Sequence, residues 1–262
     1  MRALSIAATG MLAQQTNVEV IANNLANMNT TGYKAQRAAF QDLLYQNIQQ
    51  AGAQSSDTGT LLPSGIQLGA GVRTAAVYRI TKTGDLESTS NPYDVAINGA
   101  GYFRIQLPDG TDGYTRDGNF SLSPEGQLVT QQGYVVQPGI AIPSTATAVT
   151  INTQGQVVVT LPSQTATQTV GQLELTRFPN EAGLKALGDN LYAETESSGG
   201  PQAGVPGSTG YGTIQQYFLE TSNVDAVNEI TSLITAQRAY EMNSKVITAA
   251  NEMLQQTAQL GS

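Results

Sequence analysis

Residues 222–254 read SNVDAVNEITSLITAQRAYEMNSKVITAANEML, and apolar side chains in this stretch recur at every seventh position. A seven-residue repeat is typical of the seam of a long α-helix that packs along another helix. Ser222 and Asp225 stand three residues apart just before the repeat and predict a reciprocal capping box at the helix start. The seam consists of Ala226, Leu233, Tyr240, Ile247 and Leu254, with Ala236 and Ala250 at the intervening positions and Ile230 flanking them.

The N-terminal end of the chain carries a matching seam. Leu4, Met11, Val18 and Leu25 recur every seven residues, and Ala7, Ile21 and Met28 follow three of these positions at a spacing of three. Gly32 is expected to supply the left-handed residue that closes this helix. Because the two seams lie at opposite ends of the chain, the sequence predicts that the two helices form one coiled coil.

The polar positions of the N-terminal helix are nearly free of charge. Residues 1–30 contain only Arg2 and Glu19 as charged residues, whereas a solvated helix face normally carries Lys and Glu. An uncharged polar face is less costly to bury than a charged one. The composition therefore indicates a helix surrounded by protein, with other copies of the chain as the favoured neighbours. An exposed helix, or one packed on its own globular core, is the alternative.

Between the helices the apolar pattern changes to a period of two, which is typical of β-strands. Strands are expected at 72–80, 94–97, 101–105, 114–116, 120–122, 127–130, 133–137, 149–151, 156–161 and 171–178. Asn98-Gly99 and Asp117-Gly118-Asn119 are typical hairpin turns between such strands. Residues 43–71 read as a long extended connection and residues 195–212 as a flexible link.

These patterns together predict an α+β fold, in which long N- and C-terminal helices form a coiled-coil-like inner domain and the centre is a mainly antiparallel β domain. The expected boundaries are an N-terminal axial helix (1–32), an extended connecting segment (33–71), the central β domain (72–195), a flexible return segment (196–221) and a C-terminal axial helix (222–262).

Composition excludes several classes of function. The 262 residues include no His, Cys or Trp, so triads with His or Cys, imidazole or thiolate metal sites and disulfides are excluded. The net charge of −8, without clusters of Lys or Arg, argues against nucleic acid and anionic membranes as partners. Asp109, Asp112 and Asp117 lack the spacing of a Ca²⁺ loop and are interpreted as turn residues. We therefore expect no catalytic residues, no cofactor, no metal and no direct membrane insertion.

Three groups of motifs resemble the axial proteins of the bacterial flagellum, the rod and hook family. Asn23-Asn24-Leu25-Ala26-Asn27, with Gly32-Tyr33-Lys34 after it, is similar to that family's N-terminal motif. Residues 95–103, 114–120 and 126–130 resemble the β domain of its larger members, and residues 222–225 resemble part of its C-terminal motif. The remainder of the C-terminal motif is Gln237, Arg238, Ala239 and Tyr240, continuing to Asn243.

The resemblance implies a structural function. Residues 4–11 and the long connection at 43–71 look like the distal-rod branch of the family, with the proximal rod and hook branches as alternatives. That branch implies a rigid helical homopolymer that encloses the export channel and transmits torque from motor to hook. The implied partners are proximal rod proteins, hook or junction proteins, the P- and L-ring proteins and a rod cap during assembly.

The implied location is the flagellar basal body, where the rod crosses the periplasm and outer membrane through the rings. The N-terminus lacks a cleavage site for a signal peptide, and export without cleavage is expected. The residues expected to form the inner wall are Leu4, Met11, Val18, Ile21, Leu25, Ile230, Leu233, Tyr240, Ile247 and Leu254. A secreted sugar-binding or carbohydrate-active β protein, or a coiled-coil adhesin or scaffold, remains as an alternative from other classes.

Overall fold

The computed structural model describes residues 2–49, 64–162 and 167–260. Two long helices lie at the ends of the chain, α1 (Arg2–Ala26) and α2 (Ala226–Leu260), and a short 3₁₀ turn spans Glu181–Gly183. The predicted α+β class, with helical ends and a central antiparallel β region, is confirmed. In the described residues, no helix is both long and apolar enough to span a membrane.

The strands are short, as expected for antiparallel pairs joined by turns. They are β1 (Gln36–Asp42), β2 (Tyr45–Gln49), β3 (Ile66–Gly69), β4 (Val72–Arg79), β5 (Leu86–Ser88), β6 (Val95–Asn98), β7 (Tyr102–Gln106), β8 (Asp112–Thr115), β9 (Ser121–Leu122), β10 (Leu128–Val129), β11 (Val135–Val136), β12 (Ala148–Ile151), β13 (Gln156–Thr160), β14 (Gln168–Gln172), β15 (Leu175–Arg177), β16 (Lys185–Gly188), β17 (Leu191–Ala193), β18 (Gln202–Gly204), β19 (Thr213–Gln216) and β20 (Phe218–Glu220).

The described chain divides into two compact units. The helix unit contains the described residues of Met1–Leu25, Gln36–Tyr78 and Asp225–Ser262, and the β unit contains Ala26–Ala35 and Arg79–Val224. In the β unit a nine-stranded sheet runs in the order β16-β17-β8-β7-β11-β10-β9, with β15 pairing to both β7 and β18. A three-stranded sheet, β12-β13-β14, and the pairs β19–β6 and β20–β5 complete it.

The core of the β unit lies on both sides of β7, because alternate residues of a strand face opposite ways. Phe103 and Ile105 are fully buried in the main apolar cluster, which also includes Phe120. On the other side, Tyr102 packs in a second cluster with Tyr114, Phe178, Leu184 and Tyr192. Within that second cluster the Tyr114 and Phe178 rings meet edge to face at 4.7 Å.

Both predicted hairpins are wrong. The strand before Asn98-Gly99 is β6, which pairs with β19, whereas the strand after it, β7, pairs with β8, β11 and β15. Likewise β8 pairs with β7 and β17, while β9 pairs with β10. Gly118, between β8 and β9, touches the backbone of Val95, since a Cβ there would come within 1.6 Å of the Val95 carbonyl oxygen. Each turn therefore joins two strands that pair with other strands and not with each other.

The two predicted connections also contain regular structure. In the stretch 43–71, β2 and β3 pair antiparallel, while residues 50–63 lie outside the described residues. The predicted flexible return segment at 196–221 contains β18, β19 and β20, which pair with β15, β6 and β5. The Gly, Pro and Ser residues that suggested flexibility instead form the turns between these strands, so the segment is an integral part of the β unit.

The helix ends differ from the sequence prediction. Asp225 caps α2, because its Oδ1 accepts from the N–H groups of Val227 and Asn228 at 3.0 and 3.2 Å. Ser222 instead accepts from the N–H of Val224 at 3.4 Å, so the predicted reciprocal box is wrong. At the other end of the chain, α1 stops at Ala26, and Gly32 closes a separate turn at a φ of 67°.

The second cluster generates a prediction for alkaline pH. Burial raises the pKa of Tyr102 and of Tyr192, and raises the pKa of Tyr114 to about 12. Unfolded tyrosine ionises near pH 10, so above that pH the unfolded chain has lost protons that the folded chain keeps. The free energy of unfolding should therefore fall as pH rises from about 10 towards 12.

Denaturant titration followed by circular dichroism, with tyrosinate absorbance at 295 nm, measures this effect. Tyr114→Phe removes one of the three titrating groups and should make the fall less steep. A free energy of unfolding that stays constant over this pH range, with the chain folded, would contradict the prediction.

Candidate functional site

Helices α1 and α2 pack together within the helix unit. A Cβ on Gly10 of α1 would lie 2.9 Å from the side-chain nitrogen of Asn243, so the absence of a side chain allows close approach there. Near the end of α1, the Asn24 amide donates to Glu229 Oε1 at 3.2 Å. The earlier residue on α1 meets the later one on α2, so the helices are antiparallel.

The predicted inner-wall residues divide into three groups by exposure. Ile21 is buried, as are the small seam residues Ala7, Ala236 and Ala250. Half-buried residues are Leu4, Met11, Val18, Leu25, Leu233 and Ile247. Ile230, Tyr240 and Leu254 are exposed, at 46%, 43% and 44%. The register of the helix pair places Leu254 beyond Arg2, the first described residue of α1, which explains why this part of the seam is uncovered.

A second apolar surface on α2 faces away from the seam. Val227 and Ile234 lie roughly 180° and 200° around the helix from the buried Ala236. Val227 is 73% exposed, Met242 61% and Met253 60%. A helix that is apolar on opposite sides is typical of one surrounded by protein. Within the chain, α1 covers only one of these sides.

Three residues of the C-terminal motif line an open groove between the helices. Its walls are Gln15, Val18, Glu19, Gln237, Tyr240 and Glu241. Arg238, also in the motif, is exposed, and Ala239 is half-buried. The ring of Tyr240 is thus presented at the helix surface with polar side chains around it, and it lies outside the buried part of the seam.

The side-chain amide of Asn24, in the N-terminal motif, pairs with the backbone of Gln36 as a neighbouring strand would. Its Nδ2 donates to the Gln36 carbonyl and its Oδ1 accepts from the Gln36 N–H, each at 2.8 Å. Asn24 is 1% exposed, so losing these bonds would leave buried polar groups without partners. The side chain fixes the end of α1 against the first residue of β1.

The rest of the N-terminal motif is less uniform in its placement. Asn23 and Ala26 are exposed, while Asn27 and Tyr33 are half-buried. Gly32 is buried, and a Cβ there would lie 2.9 Å from the backbone of Arg116. A glycine at this position is thus explained by backbone contact in the β unit, not by the end of the helix.

A buried ion cluster lies in the β unit and was not predicted. Glu220 is 1% exposed, and its Oε1 accepts from Lys34 Nζ at 2.5 Å. Its Oε2 accepts from Arg116 Nη2 at 2.7 Å and from Nε at 2.9 Å. The N–H of Gly84 adds a further bond to Oε1 at 2.9 Å. Both carboxylate oxygens are therefore fully engaged.

The two cations of the cluster find additional acceptors on the backbone. Arg116 donates to the carbonyls of Gly99 and Gly101, both at 2.8 Å, and Lys34 donates to the carbonyl of Lys82 at 2.9 Å. Burial and the neighbouring Arg116 lower the pKa of Lys34, while Glu220 acts in the opposite direction. These acceptors compensate for the loss of water around an excess buried cation.

The sequence places Lys34 and Arg116 within motifs of the family and indicates no role for Glu220. Their separation along the chain is the reason, since no local pattern joins residues so far apart. The signal in the sequence was the scarcity of charge, since charged residues make up only 12% of the chain. Among the described residues, no cluster of three or more His, Cys, Asp or Glu side chains is arranged to hold a metal ion.

Comparison with known proteins identifies the family. The family model "Flagella basal body rod protein" matches residues 4–34, the hook protein "FlgE/F/G D1 domain" model matches 96–159, and the "rod FlgEFG protein C-terminal" model matches 215–260. Flagellar basal-body rod protein FlgG of Caulobacter vibrioides is 58% identical, with full coverage of both chains. The chain belongs to the flagellar basal-body rod protein family.

Two further relatives distinguish between branches of the family. FlgG of Agrobacterium fabrum is 54% identical, covering 97% of each chain, whereas FlgF of Caulobacter vibrioides is 34% identical, covering 96% of this chain and 94% of that one. The predicted resemblance to the distal-rod branch of the rod and hook family is thus confirmed.

The ion cluster makes the stability of the β unit sensitive to Glu220. Glu220→Gln removes the anion and leaves Lys34 and Arg116 buried without a counter-ion, so the free energy of unfolding should fall by about 3–5 kcal/mol. Glu125 is exposed and provides the matched control, since Glu125→Gln should change stability by no more than about 0.5 kcal/mol. Denaturant unfolding at neutral pH measures both, and equal stability of the two variants would be inconsistent with the cluster as described.

Proposed function

We propose that the exposed apolar surfaces of α1 and α2 are the contacts through which copies of the chain assemble into the rod. The chain is a structural subunit of the distal rod of the flagellar basal body, as its FlgG relatives are named for the rod. The observation that carries the assembly mechanism is the two-sided apolar character of α2. Val227 and Met242 remain exposed although α1 covers the opposite side.

Assembly through such surfaces explains the composition of the helices. Burying Val227, Met242 and Met253 against neighbouring copies removes apolar area from water, at about 25 cal/mol for each Å². The scarcity of charge in residues 1–30 keeps the desolvation cost low. Contacts between different surfaces of successive copies do not close on themselves, and they generate a helical filament.

The mechanical role follows from packing. Close-packed helices resist bending and twisting because protein interiors have few voids. An inner wall built from α1 and α2 surrounds the export channel, and it stiffens the tube that carries torque from motor to hook. The β unit supplies further contacts between neighbouring subunits.

The partners beyond the homopolymer follow from the position of the rod. Proximal rod proteins adjoin one end and hook or junction proteins the other, the P- and L-ring proteins surround it, and a rod cap assists assembly. The rod then crosses the periplasm and outer membrane, and its subunit is exported without cleavage of a signal peptide. The subunit is not an enzyme, and a sugar-binding role is not favoured because no Trp and few aromatic residues are present.

Leu233 tests the seam. Leu233→Glu places a charge at a half-buried position of α2, so polymerisation and motility should be lost while the β unit stays folded. Sedimentation of the purified chain under assembly conditions, together with circular dichroism of the β unit, measures both effects. A strain that carries only this variant and swims normally would contradict the proposal.

Met242 tests the outward surface. Because Met242 is 61% exposed, Met242→Glu should leave the melting temperature of the dilute chain within about 1 °C of the original, yet prevent assembly. Met242→Leu conserves apolar volume and should assemble normally. If Met242→Glu assembles as well as Met242→Leu, this side of α2 is not an interface.

A further inference from the structure

The β unit holds two separate segments of the chain side by side. Residues 26–35 follow α1, and residues 216–224 precede α2. Gly32 donates its N–H to the Glu220 carbonyl at 2.7 Å, and the N–H of Ala35 donates to Asn223 Oδ1 at 2.7 Å. The Asn223 amide also donates to the carbonyls of Ile80 and Lys82, at 2.9 and 2.8 Å. The chain crosses between the helix unit and the β unit at four points. Three of these lie at the ends of the two segments, and the fourth is at residues 78–79.

The ion cluster joins the same two segments. Lys34 lies on the first segment and Glu220 on the second, while Arg116 is anchored to the β unit through the carbonyls of Ile97, Gly99 and Gly101. Charge-assisted hydrogen bonds are directional, so sliding one segment past the other breaks them. Apolar packing of the same area is non-directional and has no such preference.

A buried ion pair is weak evidence for stability, since apolar replacements are often as stable. Such a cluster fixes the relative position of its charged groups, because displacing one of them leaves a buried charge without a partner. That property suits a subunit in which force passes between the helix unit and the β unit through a few segments of chain.

We propose that Lys34, Glu220 and Arg116 form a clamp that keeps the two connecting segments in fixed register while the rod transmits torque. Lys34 and Glu220 are positioning residues in this role. The clamp rests on the proposed function as a rod subunit. Its central bond is the one between Lys34 and Glu220, which alone among the cluster's ion pairs joins one connecting segment to the other.

Lys34→Met is the sharpest test. It cuts the ionic bond between the segments, but it leaves Arg116 and Glu220 as a neutral pair, with Glu220 Oε1 still accepting from Gly84. Lys82→Met is the matched control, since the Lys82 side chain is exposed and only its backbone carbonyl belongs to the cluster. Both variants lose one lysine charge.

The first measurement is amide hydrogen exchange on the purified chains. We expect the N–H groups of Gly32 and Ala35 to exchange at least about tenfold faster in Lys34→Met than in Lys82→Met, with the Phe103 region unchanged in both. Unchanged exchange at Gly32 and Ala35 would overturn the clamp. This measurement needs no assembly, so it decides the point even if Lys34→Met builds no rods.

The second measurement is swimming speed in media of increasing viscosity, in a strain whose own gene is deleted. Cells with Lys34→Met should lose at least half of their speed relative to Lys82→Met at high load. Equal speeds at every viscosity would overturn the proposed role in torque, while the original chain failing to restore motility would overturn the function as a rod subunit instead.

Discussion

The organisation of this chain depends on one constraint: α2 carries apolar side chains on more sides than α1 can cover. Ala236 and Ala250 are buried, while Val227 and Met253 remain mostly exposed. The described part of one protomer offers no further long helix to cover the remaining surface, and in the proposed rod other copies cover it. The near absence of charge in residues 1–30 lowers the cost of burying α1 in the same assembly.

The β unit is joined to the rest of the chain by few segments, and the proposed clamp keeps two of these segments in register. Its core is conventional, with Phe103, Ile105 and Phe120 fully buried between short strands. The unusual feature is that Glu220 compensates two buried cations from distant parts of the chain. Apolar burial folds the unit, and the ion cluster then fixes where the chain enters and leaves it.

The sequence predicted what depends on local pattern. The seven-residue repeats located both helices, and the period-two pattern located β4, β7 and β13, because spacing alone determines which face of an element is apolar. The pairing of strands was not predictable in this way: β6 pairs with β19 although more than a hundred residues separate them. The cluster of Lys34, Arg116 and Glu220 was not predictable for the same reason. The strands at 202–220 were not predicted because their turn-rich sequence resembles that of a flexible link. The predicted role of the seam residues in assembly follows from the repeat and is tested only by experiment.

The measurement that tests the account most directly is hydrogen exchange of α2 in the dilute chain and in assembled rods. If other copies cover the exposed side of α2, amides around Val227–Met253 should exchange at least about tenfold more slowly in rods, while those of β7 exchange alike in both. Equal protection of α2 in the two states would show that the helix pair is already complete in one molecule, and the assembly account would be wrong.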